Sequence, residues 1–182
     1  IEDIYLDLID KNNKTDVAYL RMMYDSKLKL LDESYKNIFE KFSTKQDTIT
    51  MVMSDHGENF GEHGLFNHNN DYHHSLFHVP LIIYSPKVKA TEINQTSSNL
   101  DIFPTLLDLV GIPQINNLQG KSLLPLIDNQ KIDINDFSIS ESFSGIVIFN
   151  SNWTYFLPWA IYGKYSQEVL FNVQKDPDEV IN

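Results

Sequence analysis

Residues 48–64 read TITMVMSDHGENFGEHG, and this stretch decides the fold class. Its first part, TITMVMS, is a short apolar run rich in β-branched side chains, which is typical of a strand buried on both faces. A second run of this kind, VPLIIYS, follows at 79–85. Together they predict two strands of a parallel-type α/β sheet that are joined by a long polar loop.

A long amphipathic helix precedes the first strand. Between residues 16 and 42 apolar side chains recur at steps of three and four, and no Pro or Gly interrupts them. This period predicts a helix with one apolar face. The apolar positions are Val17, Leu20, Tyr24, Leu28, Leu31, Tyr35, Ile38 and Phe42.

The remainder of the chain changes character near residue 128. NLDIFPTLLDLVGIP (99–113) predicts a helix of two to three turns, with Asp101 capping its start and Gly111 beyond its end. KSLLPLI (121–127) predicts a short helical piece. After the polar linker 128–136, alternating and aromatic runs separated by turn residues predict an antiparallel sheet. We therefore expect two domains, 1–127 and 128–182.

Composition excludes several partner classes. The 182 residues carry 25 acidic and 14 basic side chains, for a net charge of −11, and Arg21 is the sole arginine. Binding to phosphate backbones requires clustered Lys and Arg, so we expect no nucleic-acid partner. No apolar run reaches the roughly 20 residues of a membrane span. The chain has no cysteine, which excludes disulfides and thiolate metal sites and leaves the redox compartment open.

All six histidines lie in or just beyond the polar loop, at positions 56, 63, 68, 73, 74 and 78. Asp55 and His56 follow the first strand directly, and ligand sites of open α/β sheets lie at strand carboxyl ends. A carboxylate beside an imidazole suits Zn, Mn or a similar divalent ion, whereas Ca or Mg favours oxygen ligands. An acid–base site and a solvated loop are the alternatives.

Four segments in order resemble the sulfatase family of the alkaline-phosphatase-like superfamily. SDHGENFGEHGLFNHNNDYHHSLFHVPLIIYSP (54–86) is similar to its metal-site segment. VAYLRMMYDSKLKLLDE (17–33) resembles the preceding helix, and 99–127 resembles the segment that follows the metal site. EVLFNVQKDPDEVIN (168–182) is similar to the closing motif of the family. The resemblance implies an alkaline-phosphatase-like α/β fold: a partial parallel-type sheet flanked by helices, then a small C-terminal antiparallel sheet.

The resemblance also assigns roles by position. Asp55 and His56 match two metal ligands, and His68 matches a position that contacts sulfate or phosphate oxygens or acts as general acid. For His63 two roles remain open: orienting a neighbouring site residue, or a purely structural role in the loop. The implied metal is a divalent ion, with Ca most usual and Mn, Zn or Mg also compatible. Glu58 and Glu62 are interpreted as acceptors that fix the loop. His73, His74 and His78 are interpreted as surface or core packing residues, with a metal shared by His74 and His78 as the alternative.

The family's nucleophile motif does not occur in this sequence. A sulfatase uses a formylglycine made within C/S-x-P-x-R, whereas here the sole arginine stands in AYLRMMYD. The resemblance therefore implies a C-terminal portion of a larger enzyme, whose missing N-terminal half is its partner and supplies the formylglycine and further ligands. We expect the isolated portion to be inactive and to expose an apolar edge.

Function is predicted at the level of a reaction class. The resemblance implies hydrolysis of a small anionic sulfate ester, and a secreted or periplasmic location, with a cytoplasmic one also compatible. A phosphodiesterase, a phosphonate hydrolase and a phosphoryl-group transferase of the same superfamily are alternatives. A non-catalytic metal-binding module is an alternative of another class.

Overall fold

A computed structural model describes residues 9–42, 47–68, 71–128, 130, 132, 134–159 and 167–180. The chain divides into two compact units, each of which is described here by itself. The first unit consists of Ile1–Asn69 and His78–Pro86, and the second of Asn70–Phe77 and Lys87–Asn182. In the described residues, no helix has the length and apolar character that crossing a membrane requires.

The division between units does not coincide with the boundary predicted near residue 128. Residues on both sides of that position belong to the second unit. The Asn135 Nδ2 donates to Asp101 Oδ2 at 2.7 Å, and the Ser138 Oγ donates to the Ser97 carbonyl at 3.0 Å. The change of composition therefore marks a change of secondary structure within one unit.

The first unit contains one long helix and four strands. They are α1 (Lys14–Phe42), β1 (Thr50–Met53), β2 (Asn59–Phe60), β3 (Phe66–Asn67) and β4 (Leu81–Tyr84). Helix α1 confirms the predicted amphipathic helix and begins where the Asn13 side chain accepts from the Thr15 amide at 2.9 Å. No described residue of α1 is buried.

Strands β1 and β4 pair with each other and are antiparallel, with Met51 opposite Ile83 and Val52 opposite Ile82. The mixed helix-and-strand class is confirmed, but the parallel direction predicted for these two strands is wrong. A parallel pair needs a crossover connection, usually a long helix. The described part of residues 54–80 holds only a hairpin, a 3₁₀ turn and one four-residue helix.

The second unit begins with short helices and ends in a sheet. Its elements are α2 (His74–Phe77), α3 (Ile102–Val110), α4 (Leu124–Ile127), β5 (Ser138–Glu141), β6 (Gly145–Phe149), β7 (Trp153–Pro158) and β8 (Val169–Asn172). Strands β5 to β8 form a four-stranded sheet in sequence order, and every neighbouring pair is antiparallel. The predicted C-terminal antiparallel sheet is confirmed.

Asp101 organises the turn before α3. Its carboxylate accepts from the backbone amides of Ser98 and Lys121, both at 2.8 Å, as well as from Asn135. The Ser98 side chain in turn accepts from the Leu100 amide, which completes a capping box. The predicted N-cap role of Asp101 is wrong: Asp101 directly precedes α3, but its side chain makes no capping hydrogen bond to that helix, and Ser98 is the N-cap of the 3₁₀ turn Asn99–Asp101. At the other end Gly111 adopts a left-handed φ of 74°.

The hydrophobic core lies in the second unit. Phe156 on β7 is fully buried, and the Tyr72 ring stacks on it with centroids 4.3 Å apart. Every buried hydrophobic side chain among the described residues belongs to this unit. They are Leu107, Leu109, Leu123, Leu126, Ile127, Ile134, Val147, Phe156 and Phe171.

Candidate functional site

The candidate site lies in the loop that follows β1, at residues 54–68. Where the strand ends, the Ser54 Oγ donates to the His56 carbonyl at 2.7 Å, and the His56 amide donates to the Asp55 Oδ1 at 3.1 Å. These two bonds turn the chain within three residues. The Asp55 side chain is 86% exposed, so its carboxylate is available to bind a ligand.

The His56 ring is oriented by its own backbone neighbour. Its Nδ1 lies 2.8 Å from the Gly57 carbonyl oxygen, and since a carbonyl can only accept, Nδ1 carries the hydrogen. In the neutral ring Nε2 then carries the lone pair, as a metal-binding imidazole requires. The Nε2 lies 3.8 Å from the Asp55 Oδ2.

His68 packs against His56. The two rings are stacked with centroids 4.2 Å apart and an angle of 25° between their planes. The His68 Nδ1 donates to the Glu58 Oε2 at 3.2 Å. The structure therefore brings Asp55, His56 and His68 together, although they span fourteen positions of sequence.

The donor set at Asp55 and His56 fits a divalent ion. Two ligands of one ion, at bond lengths of about 2.0 to 2.5 Å, lie about 3 to 4 Å apart. The separation of 3.8 Å between the Asp55 Oδ2 and the His56 Nε2 is within that range. Among the described residues no group of three or more His, Asp or Glu side chains could hold a metal by itself. The two residues fit one side of a metal site.

His63 lies in the 3₁₀ turn Glu62–Gly64, where its φ of 54° is in the left-handed region. Such backbone is uncommon for a residue other than glycine. Gly61 precedes the turn and Gly64 ends it, and both have positive φ values as well. The role of His63 in the site stays a prediction.

Glu62 fixes the hairpin formed by β2 and β3, as the sequence suggested. Its Oε2 accepts from the Phe60 amide at 2.5 Å, and its Oε1 pairs with Arg21 of α1. The Tyr24 ring contacts the Phe60 ring edge-on at a centroid distance of 4.9 Å. Helix α1 therefore holds the hairpin that leads to His68.

Glu58 is also an acceptor, but its partner is a candidate site residue, and the sequence reading missed this link. The two residues are ten positions apart, and no periodic pattern joins them. The signal that could have found the pair is the hairpin register. Asn59 pairs with Asn67 and Phe60 with Phe66, so Glu58 and His68 stand at the next paired position.

The histidines after His68 have packing roles where the structure describes their contacts. His73 is buried and its Nδ1 lies 2.5 Å from the Asp71 Oδ1. The His74 ring contacts Phe77 edge-on, and its amide donates to the Glu179 Oε2 at 2.7 Å. Packing was the predicted role of His73 and His74, and the structure confirms it for both.

Comparison with known families matches one model. The family model described as Sulfatase matches residues 8–112, which is more than half of the chain. That range includes α1, the loop 54–68 and the strands β1 to β4.

Among curated proteins the chain is similar to sulfatases. It is 33% identical to arylsulfatase K of Rattus norvegicus over 156 residues, covering 78% of this chain and 27% of that protein. It is 29% identical to choline-sulfatase of Rhizobium meliloti over 178 residues, covering 92% of this chain and 33% of that protein. The chain thus spans about a quarter to a third of these relatives.

Solved structures share the fold. A 2-O GAG sulfatase matches 93% of this chain and 39% of its own length, with a TM-score of 0.81 and 22% identity. A phosphonate monoester hydrolase from Silicibacter pomeroyi matches 76% of this chain and 31% of its own length, with a TM-score of 0.62 and 22% identity.

Proposed function

The chain belongs to the sulfatase family, and from that premise we propose that it is the C-terminal portion of a metal-dependent hydrolase of sulfate esters or related phosphate esters. In this proposal Asp55 and His56 are two of the metal ligands and His68 contacts the substrate. The nucleophile comes from a part of the protein outside these 182 residues.

The observation that carries the proposal is the packing of His68 on His56, with ring centroids 4.2 Å apart. A substrate-binding group has to lie beside the metal ligands, because both act on the same ester. A hydrogen bond from Nδ1 orients each of the two rings, so both are held in place beside one another. This packing supports a common site.

Each residue has a defined task in the proposed reaction. A bound divalent cation would polarise the ester and offset negative charge on the transferred group. Asp55 would bind the ion through its exposed carboxylate, and His56 would bind it through Nε2 while the Gly57 carbonyl holds Nδ1. Glu58 holds the Nδ1 of His68, which leaves Nε2 for a substrate oxygen. As the imidazolium, with a hydrogen on both ring nitrogens, His68 can donate a hydrogen bond or a proton from Nε2 to that oxygen.

The partner in this proposal is the remainder of a longer protein. Helix α1 has no buried residue in its described part, and Met53 and Ile82 on the paired strands are 45% and 56% exposed. Apolar surface of this extent marks an interface. We infer that the remainder covers it and supplies the other ligands and the nucleophile, a formylglycine if the ester is a sulfate.

The proposal is tested on the full-length protein that contains this chain. Asp55→Asn and His56→Ala are each expected to lower kcat/KM by about 100-fold or more and to reduce bound metal, measured by mass spectrometry. His68→Ala is expected to lower kcat by about 10²- to 10⁴-fold while bound metal is retained. His78→Ala is the matched control and should leave both unchanged.

Substrate and metal titrations separate the alternatives. An aryl sulfate should be turned over faster than the matching phosphonate monoester or phosphodiester; the reverse order would favour the phosphonate hydrolase alternative, whose fold the chain shares. Tight 1:1 binding of Zn, Mn or Ca by the 182-residue chain alone, with no turnover by the full-length protein, would favour a non-catalytic metal-binding module and contradict the proposal.

A further inference from the structure

We propose that Glu58 is a positioning residue for His68, and that its carboxylate sets which ring nitrogen faces the substrate. The inference rests on the proposed function for the task of His68. Glu58 itself touches neither the substrate nor the metal in this scheme. It acts by holding the ring.

The contact between the two side chains is specific. The Glu58 Oε2 accepts from the His68 Nδ1 at 3.2 Å, and the Glu58 side chain is only 19% exposed. A carboxylate oxygen accepts hydrogen bonds, so it selects the ring state that carries a hydrogen on Nδ1. Which nitrogen of a histidine is protonated is set by the hydrogen bond of the other nitrogen.

The backbone register of the hairpin places these two side chains next to each other. Glu58 and His68 occupy the paired position that follows Asn59 and Asn67, where side chains of opposite strands lie close. Asn67 has a φ of 69°, in the left-handed region that Asn tolerates, and it bends the chain directly before His68. The ring position therefore depends on the hairpin as well as on the carboxylate.

A second oxygen of Glu58 supports a functional reading. Its Oε1 is buried and has no hydrogen-bond partner among the described residues. Leaving a buried acceptor unsatisfied destabilises a fold, so a loop selected for stability alone would favour a side chain without it. Holding His68 gives a reason to keep a carboxylate at this position.

Two substitutions isolate the contribution of the carboxylate. Glu58→Met keeps the length of the side chain and removes both oxygens, whereas Glu58→Gln keeps an acceptor for the His68 Nδ1. In the full-length protein we expect Glu58→Met to lower kcat by about 10- to 100-fold, because the ring loses its orientation. Glu58→Gln should stay within about tenfold of wild type. Glu40→Ala, on the exposed end of α1, is the surface control.

A double-mutant cycle shows whether Glu58 acts through His68. The variant that combines Glu58→Met with His68→Ala should be no slower than His68→Ala alone, because the ring that Glu58 positions is already absent. If the two losses multiply instead, Glu58 acts on its own and the proposal is wrong. Loss of bound metal in Glu58→Met would likewise overturn it, since it would make Glu58 a ligand.

Nitrogen NMR on the 182-residue chain tests the inference without any turnover. At alkaline pH the wild-type His68 should carry its hydrogen on Nδ1, and Glu58→Met should move it mainly to Nε2. A wild-type hydrogen on Nε2 would overturn the proposal even if neither variant folds. If the full-length protein is inactive while the NMR result holds, the proposed function fails and the positioning of His68 by Glu58 stands.

Discussion

The two compact units differ in where their apolar side chains lie. In the second unit Phe156 is fully buried, and Val147 and Phe171 are each 3% exposed. In the first unit Leu28 and Leu31, on the apolar face of α1, are 45% and 46% exposed. The second unit therefore has a hydrophobic core, whereas the described part of the first unit has apolar side chains but no buried core.

Under the proposed function, this difference fits the position of the candidate site in the less packed unit. A loop that completes a site with another part of the protein lies on a face that this other part covers. The second unit has a set of buried apolar side chains around Phe156, although others such as Phe143 stay exposed. We therefore expect substitutions in the two units to differ in how strongly they depend on the rest of the protein.

The largest expected effect is in the second unit. Phe156→Ala should destabilise it by about 3–5 kcal/mol, because a large cavity replaces a side chain that makes many contacts. Urea denaturation of the chain would measure this loss. Phe143→Ala is the matched control, since Phe143 is 87% exposed, and it should change stability by less than about 0.5 kcal/mol. Equal losses in the two variants would contradict the contrast between the units.

The second effect should differ between the isolated 182-residue chain and the full-length protein. Leu31→Ala should change the stability of the isolated chain by less than about 0.5 kcal/mol, but should cost about 2 kcal/mol in the full-length protein, where we propose that α1 is covered. Leu30 lies outside the predicted apolar face and is 64% exposed, so Leu30→Ala is the control for both measurements. A similarly small loss for Leu31→Ala in the full-length protein would argue against coverage of this face.

A smaller effect concerns pH and the second unit. Burial raises the pKa of Glu179 above its ordinary value of 4.5, while bonds from the His74 amide and the Thr154 side chain oppose the shift. The folded chain therefore binds this proton more tightly than the unfolded chain. Its contribution to stability is present below pH 4.5 and is lost as the pH rises through the raised pKa.

Glu179→Gln removes this titration. The variant should match wild type near pH 4 and exceed it at higher pH, because no charge is buried there. Thermal unfolding midpoints measured from pH 4 to 8 would show the divergence. Parallel curves for the two proteins would mean that Glu179 does not titrate in this range.

The smallest effect is at the link between α1 and the site loop. Arg21 pairs with Glu62, and the two side chains are 53% and 36% exposed, so water screens the pair. Arg21→Ala should destabilise the chain by about 0.2–1 kcal/mol, and by less at high salt. Thermal unfolding at two salt concentrations would measure this, with Lys36→Ala as a control for an exposed ion pair. A loss of several kcal/mol would mean that the hairpin depends on this contact.

Much of the fold could be predicted because periodicity encodes it. The helix predicted at 16–42 is observed at Lys14–Phe42, and the apolar runs at 48–54 and 79–85 contain β1 and β4. The direction of those strands could not be read from the sequence, because a strand with apolar side chains on both faces has the same pattern in either direction. The hairpin of β2 and β3 was missed because two-residue strands carry no measurable alternation.

The candidate site divides in a similar way. The sequence pointed to Asp55, His56 and His68, and the structure gathers all three in one loop. The hydrogen bond from His68 to Glu58 could not be predicted, because it depends on a hairpin register that glycines and left-handed residues create. Backbone with left-handed residues of this kind cannot be recognised from amino-acid composition or periodicity.

The interleaving of the two units has a consequence for the order of folding. Residues 70–77 join the second unit before the chain returns to the first at 78–86. The His74 amide reaches Glu179 across 105 positions, and the Tyr72 ring stacks on Phe156. Such distant contacts slow folding, since a long stretch must be closed before they form. During synthesis Tyr72 is therefore made long before the strands that it packs against, and a ribosome that stalls near residue 128 leaves it without the Phe156 and Phe171 rings.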